Sequence, residues 1–412
     1  MIFKGLFDFK NQSLQINWRI VLPILFFIFI GLMTLKSTSN LNSFVSSTFY
    51  KQILWVFLGS NIFIIMQYVR IQYLYDYSYL FFIFLIILLG LTFLSEPIKG
   101  AKSWFVLGPF YFQPSEFGKI IYAICLARFF SDNRKNNLFT KYIIYVLLIS
   151  LVPPFLVFLQ PDLGTAIIYL SIIIPIFYWS KFNHRLIFLL IAPAISVITV
   201  SLNNLFVFYI WMLIFIFFLI YNRITIIFGI LNFLINVICG LSPPYIWDNV
   251  FKPHQKERVL TFFDPFRDAL GAGYQVIQSW ISIGSGGMWG KGLGNGTQTQ
   301  LKFLPVKDTD FIISVIAEEL GFFTIFFILF ALIFFTYWVL EYLSKIESRF
   351  SGLLMVGLLS IIFMHIIINM AMVSGLLPVT GLPVPFISYG GSFFLSCSII
   401  VGLINNIINN QI

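Results

Sequence analysis

Apolar residues in this chain gather into runs about as long as a bilayer is thick. They lie at about 18–35, 53–69, 78–94, 115–131, 142–159, 164–180, 185–202, 205–220, 224–246, 310–338, 353–374 and 386–408. A helix rises about 1.5 Å per residue, so about 20 apolar residues cross a hydrocarbon core of about 30 Å. One such run could be the core helix of a soluble protein, but about twelve in 412 residues could not. Composition agrees: 59% of residues are hydrophobic and only 10% charged, too little polar surface to coat a water-soluble globule. Soluble enzymes, repeat arrays and disordered chains are excluded. The expected fold class is an all-α polytopic integral membrane protein with about 10–12 transmembrane helices in one membrane domain over 1–412. The 185–246 region stays open between three short helices and one long helix with a re-entrant pair. The first run has no small-residue cleavage site after it and reads as a retained helix.

The net charge of +9 would suit nucleic acid, but in membrane proteins Lys and Arg collect in cytoplasmic loops. With the N-terminus inside, the inside loops hold thirteen Lys and Arg and the short outside loops only four: Lys36, Lys51, Lys99 and Lys102. Both termini are then cytoplasmic, and no nucleic-acid partner is implied. Cys125, Cys239 and Cys397 each lie in an apolar run and suggest no disulfide framework. His184, His254 and His365 are scattered and form no metal-ligand cluster.

Residues 247–309 form a long outside loop, and a loop of that length is usually functional. Within it, Tyr274, Ile277, Trp280 and Ile281 recur at helical spacing, which predicts an amphipathic segment lying in the membrane interface. Seven glycines follow in the thirteen residues 284–296. A phosphate-binding P-loop is excluded there, because Ser285 stands in place of the first glycine and Gly292 follows Lys291 in place of Ser or Thr.

Ionisable residues at membrane depth are costly and so are functional candidates. Glu116 and Lys119 lie three apart on one helix face and read either as a structural ion pair or as a substrate contact. Asp162 follows Gln160-Pro161 at an outside helix start, where it can serve as a cap. Asp308 and Asp310 stand where the long loop enters a span, with Lys302 and Lys307 nearby, and Glu318 and Glu319 lie deeper. A carboxylate in a partly dry mouth can be tuned toward a base near neutral pH, although Asp310 could also cap its helix.

Eight motifs in order then carry a resemblance. They are Lys99-Gly-Ala-Lys-Ser-Trp104, Gln113-Pro-Ser-Glu-Phe-Gly-Lys119, Gln160-Pro-Asp-Leu-Gly-Thr165, Asp268-Ala-Leu-Gly-Ala-Gly-Tyr-Gln275, Gly296-Thr-Gln-Thr-Gln300, Thr309-Asp-Phe311, Ala317-Glu-Glu-Leu-Gly321 and Gly381-Leu-Pro-Val-Pro-Phe-Ile-Ser-Tyr-Gly-Gly-Ser392. Together they resemble the SEDS family of bacterial cell-wall polymerases, the shape, elongation, division and sporulation proteins. The Gly-Thr-Gln-Thr-Gln-Leu run before Phe303-Leu-Pro305 resembles the elongation branch, which determines rod shape, more than the division branch. Two features depart from the family. Its usual Leu-Pro-Glu-x-His is here Leu304-Pro305-Val306-Lys307-Asp308, and 185–246 holds about two spans beyond the family pattern.

The resemblance implies about ten helices, a large outer loop, the bacterial cytoplasmic membrane, and peptidoglycan glycosyltransferase activity on lipid II, the undecaprenyl-pyrophosphate-linked disaccharide-pentapeptide. The family's catalytic Asp is the one in Thr-Asp-Phe, here Asp310. Glycosyl transfer would proceed with inversion. The 4-hydroxyl of one GlcNAc attacks the anomeric carbon of MurNAc on the growing chain, and undecaprenyl pyrophosphate leaves. Asp310 would take the hydroxyl proton. Lys119, Lys102 and Arg258, in that order, are candidates to support the leaving diphosphate, with Glu116, Trp104 and Asp162 as further substrate-binding candidates. A divalent cation, Mg or Mn, is an optional cofactor with Asp310 and Asp308 as ligands. The chain offers no soluble transpeptidase domain, so cross-linking falls to a partner, which the resemblance suggests is a class B penicillin-binding protein. A lipid II flippase and a non-catalytic scaffold of the synthesis complex are the alternatives, and neither needs a base at the outer mouth.

Overall fold

The computed structural model describes residues 15–39, 47–97, 100–107, 110–133, 140–201, 205–249, 253–271, 273–301 and 303–411. All twelve apolar runs fall on helices. The first are α1 (Trp18–Thr38), α2 (Thr48–Met66), the short α3 (Ile71–Asp76) and α4 (Ser78–Leu91). A small antiparallel pair, β1 (Phe105–Leu107) and β2 (Phe110–Phe112), then leads into α5 (Pro114–Asp132), α6 (Thr140–Leu159) and α7 (Leu163–Trp179). Next come α8 (His184–Ser201), α9 (Leu205–Tyr221), α10 (Ile226–Asn249) and α11 (Pro253–Phe263). The chain continues through α12 (Tyr274–Gly286), the one-turn α13 (Thr297–Gln300), α14 (Ile312–Leu343), α15 (Arg349–Val373) and α16 (Gly391–Gln411). Helix dominates because hydrocarbon offers no water to backbone N–H and C=O groups, and a helix satisfies its own. Among the described residues, seven helices are long and apolar enough to cross a membrane, and four shorter apolar helices accompany them.

Contacts divide the chain into two compact units, 1–176 with 264–412, and 177–263. In the second unit, the 185–246 region resolves as three helices, α8, α9 and α10. Ser196 is fully buried and joins all three: its Oγ donates to Asn236 Oδ1 at 2.7 Å and accepts Trp211 Nε1–H at 2.8 Å.

In the first unit α15 is the central post, buried over most of its length, and it packs on α5, α14 and α16. Glycine makes room where a side chain would not fit. A Cβ on Gly118 would meet the Tyr169 hydroxyl at 2.3 Å, so the bare glycine of α5 leaves room for a tyrosine reaching over from α7. α16 closes the unit at its polar end. Asn406 Nδ2 donates to the carbonyls of Met66, Gln67 and Val69 at 2.6, 3.1 and 2.8 Å, occupying the free end of α2. Asn405 Nδ2 donates to Gln67 Oε1 at 2.6 Å, and Asn405 Oδ1 accepts Asn17 N–H at 2.9 Å. The outer face of α14 is the reverse of this. Phe322, Phe326, Phe330, Ile333 and Tyr337 stand exposed, an apolar stripe suited to lipid.

The expected 310–338 span is two pieces. Gly321 has φ 78 and ψ −179 inside α14, a conformation that glycine alone adopts readily. The break leaves 312–320 as a buried half-helix, while 322–343 rises about 33 Å at 1.5 Å per residue, a full bilayer crossing. Asp310 therefore stands at the head of a buried half-helix and not at the entrance of a span. α12 forms where the amphipathic segment is expected, with Val276, Ser279, Ser282 and Gly286 buried and Trp280 and Ile281 exposed, as an interfacial helix would have them. Ser279 lies 2.9 Å from Ser314 across the contact with α14 and donates to Val373 O at 2.8 Å. Small side chains let the backbones approach, so the packed face is the small one and not the apolar one.

Candidate active site

The break at Gly321 frees backbone groups that an unbroken helix would pair i to i−4. The glycine-rich loop takes them all. Lys291 N–H and Gly292 N–H donate to Glu318 O and Glu319 O, each at 2.9 Å. Phe322 N–H and Phe323 N–H donate to Gly287 O and Met288 O at 3.0 and 3.2 Å. Two lost helical bonds are thus replaced by four to the loop. The approach is so close that a Cβ on Gly290 would lie 2.3 Å from Glu319 O.

Side chains complete this junction. Glu318 is fully buried and accepts five hydrogen bonds: Lys291 Nζ at 3.0 Å, Thr297 Oγ1 at 3.1 Å, Gln298 N at 3.0 Å, Thr299 N at 3.1 Å and Thr299 Oγ1 at 2.8 Å. A buried carboxylate holds its charge only with such a shell. Glu319 accepts from Gln300 Nε2 at 3.2 Å and from Ser37 Oγ at the end of α1. Lys307 Nζ then donates to Thr299 O at 2.9 Å, which carries the order on toward Asp308 and Asp310. The motif carboxylates Glu318 and Glu319 hold the loop in place.

Three consecutive carbonyls around the candidate base are each held, two from the segment that follows α15 and one from α15 itself. Asp308 O accepts Tyr389 N–H at 2.9 Å, Thr309 O accepts Ser388 Oγ–H at 2.6 Å, and Asp310 O accepts Asn369 Nδ2–H at 2.8 Å. Asp310 is partly exposed, and a methyl built on Gly381 would lie 3.5 Å from its Oδ2. The cap residue of α14 is Phe311, with no side-chain cap bond, so the geometry does not use Asp310 as the cap. Asp308 accepts from Thr48 Oγ1 at 3.0 Å, while its Oδ1 is buried without a partner.

The other predicted residues fall into two groups. Near the 380–383 segment stands the turn of Asp162: a Cβ on Gly164 would touch Thr380 O at 2.5 Å. Asp162 accepts Thr165 N–H at 3.1 Å at the start of α7, and Gln113 Nε2–H at 2.8 Å. Burial pushes its carboxyl above the usual value, against the pull of the bonds from Thr165 and Gln113 and the charge of Lys119. Lys102 is exposed and tied to this turn by its backbone N–H on Gln160 O at 3.2 Å. Trp104 is half-buried just before β1.

Lys119 departs from its expected role. It is fully buried, 2.7 Å from Glu116 Oε2, 2.8 Å from His365 Nε2 and over the Phe393 ring. An ammonium enclosed in this way is a structural ion and does not reach a diphosphate. Arg258 lies on α11, but its side chain, like Lys302 and Lys99, is outside the described residues. For a divalent cation, the described residues contain no group of three His, Cys, Asp or Glu. Mg is commonly held by one or two carboxylates together with substrate phosphates, and Asp308 and Asp310 are the carboxylates that would serve in that way. Nothing in the sequence marks Asn369 as a site residue, and His365 is there only one of three scattered histidines.

A family model described as "Cell cycle protein", FTSW_RODA_SPOVE, matches residues 14–208 and 202–411. The chain belongs to this family. Among its members, peptidoglycan glycosyltransferase RodA of Treponema pallidum is 30% identical over the whole of both chains. Peptidoglycan glycosyltransferase MrdB of Escherichia coli is 35% identical over 76% of this chain and 72% of its own. The fold is shared with solved family structures. A chain from a peptidoglycan synthase complex that coordinates polymerization and crosslinking matches with TM-score 0.72 at 24% identity, over 97% of this chain and 99% of that one. The rod shape determining protein RodA of Thermus thermophilus matches with TM-score 0.63 at 19% identity, over 98% of each chain.

Proposed function

We propose that this chain is a peptidoglycan glycosyltransferase that polymerises lipid II on the outer face of the cytoplasmic membrane, in the service of cell elongation and rod shape. The observation that carries the reading is the placement of Asp310: a partly exposed carboxylate whose backbone is held at three consecutive carbonyls, opposite a glycine that leaves room before it. The names of the family relatives support the activity. Their rod-shape members support the elongation role.

The reaction follows from that carboxylate. Asp310 accepts the proton of the acceptor 4-hydroxyl as its oxygen attacks the MurNAc anomeric carbon. The bond from that carbon to the diphosphate oxygen breaks, and undecaprenyl pyrophosphate departs with the electron pair. Diphosphate is a good leaving group and needs charge support more than a proton. Lys102 is the exposed cation beside the Asp162 turn and takes that role. A rigidly held base fits catalysis, because a base displaced by about 1 Å can cost about 10²-fold in rate. The similarity to a chain from a synthase complex supports a class B penicillin-binding protein as the cross-linking partner.

The test is glycan polymer formed from lipid II by the purified protein, alone and with that partner. Asp310→Asn keeps size and loses basicity, so polymerisation should fall by about 10²–10⁴-fold, the usual contribution of positioned proton transfer, with unchanged melting. Asp310→Ala should fall equally. Near-normal polymer from Asp310→Asn rejects the assignment.

A further inference from the structure

We propose that Asn369, with His365 one turn before it, is a positioning residue that sets Asp310 against the 381–383 segment; this rests on Asp310 being the base. Four residues apart on α15, the two side chains share a face. Asn369 Nδ2 donates both to Asp310 O at 2.8 Å and to Leu382 O at 2.6 Å. Both acceptors are carbonyls, so the amide nitrogen must face them and the oxygen must face away. That oxygen, Oδ1, is buried without a partner, and the residue is fully buried. A leucine of similar volume would spare that oxygen but would leave both carbonyls without this donor. The use of the amide is to bind two separate backbone segments through one nitrogen.

His365 supports the same segment. The Lys119 ammonium has only protons to give, so His365 Nε2, at 2.8 Å, must accept. The ring proton is then on Nδ1, which faces Pro383 O at 3.3 Å. Glu116 in turn holds Lys119 at 2.7 Å. The buried ion pair thus fixes the histidine tautomer, and the histidine braces the residue next to Leu382. Gly381 follows on the other side, and its missing side chain leaves the Asp310 carboxylate its space. The charges of α5 act on the base through α15 without touching substrate.

The experiment measures kcat and KM of the full-length protein for lipid II, with melting temperature beside them. Asn369→Leu should lower kcat by about 10²-fold, the cost of a base misplaced by about 1 Å, with KM changed less than about twofold. Asn369→Gln retains the two-donor amide and should recover at least about tenfold of that loss. The proposal is overturned if Asn369→Leu keeps more than half of the kcat, if KM rises as kcat falls, or if Asn369→Gln at equal melting temperature is no better than Asn369→Leu. If Asn369→Leu does not fold, the pair His365→Gln and His365→Leu carries the test. Gln offers an oxygen to Lys119 and an N–H to Pro383, and should exceed Leu by about tenfold in kcat; equal values overturn the proposal. Asp310→Asn is measured in parallel. If it polymerises normally, the base reading itself has failed; if it is inactive while Asn369→Leu is normal, only the positioning role has.

Discussion

At the scale of the residue, α5 holds a buried ion pair between Glu116 and Lys119. Breaking a buried pair strands a charge, at a cost of about 3–5 kcal/mol. Glu116→Ala and Lys119→Ala should therefore both melt well below the parent, and the double change Glu116→Gln with Lys119→Met should recover much of the loss. A thermal melt in detergent checks this; normal melting of Lys119→Ala with lost activity would return Lys119 to a diphosphate-binding role. Asp162 gives a pH signature of the opposite sign to a salt-bridged carboxylate. Its folded pKa is raised above 3.8 by burial, so its contribution to stability is complete below that value and is lost as pH rises through the raised pKa. Asp162→Asn should flatten this acid-side trend in melting temperature, and an unchanged trend would assign it elsewhere. The spacing of Glu116 and Lys119 was readable from the sequence because helical geometry fixes which residues i and i+3 meet. Their third partner, His365, was not readable: a lone histidine in an apolar run carries no mark of what it faces, and its two partners come from 246 and 18 residues away.

At the scale of the element, the broken α14 is the part the sequence disguised. Hydropathy runs straight through Gly321, because 312–320 and 322–343 are both apolar, although one is sealed inside protein and the other faces lipid. The glycine-rich loop could be seen but its use could not, since half of what it offers Glu318 and Glu319 are backbone N–H groups, which every residue has. α12 was found by its period, while its contact with α14 was not, because in a membrane small residues such as Ser279 mark the contact. Two substitutions test the junction. Gly321→Ala places a Cβ 2.3 Å from Gly290 N in a conformation alanine resists, so polymerisation should be abolished and melting lowered. Glu318→Gln keeps the volume but turns a donor toward donors. Hydrogen exchange at the Gln298 and Thr299 amides should then accelerate by more than about tenfold, as expected when a charged acceptor worth about 1.5–3 kcal/mol is lost. Unchanged protection there would mean that the loop does not depend on this carboxylate.

At the scale of the whole molecule, the apolar helices and their order were legible, because bilayer thickness sets a length, whereas the break that puts Thr-Asp-Phe before a buried half-helix was not. The thirteen-to-four charge count predicts that the 247–309 loop and Asp310 lie outside. Ser285→Cys is exposed on that loop, and an impermeant thiol reagent should label it in intact spheroplasts; labelling only after lysis would invert the topology. The closure of the first unit by Asn405 and Asn406 also sets a schedule. Gln67 is made early, and its partner Asn405 lies 338 residues downstream. At a synthesis rate of about 5–20 residues per second, that is an interval of about 17–70 s. Throughout it, the open end of α2 sits at the membrane with its carbonyls facing water or the insertion machinery. Asn405 and Asn406 displace whatever held them, so a ribosome that stops before these two residues leaves α2 unsealed although every other helix is made.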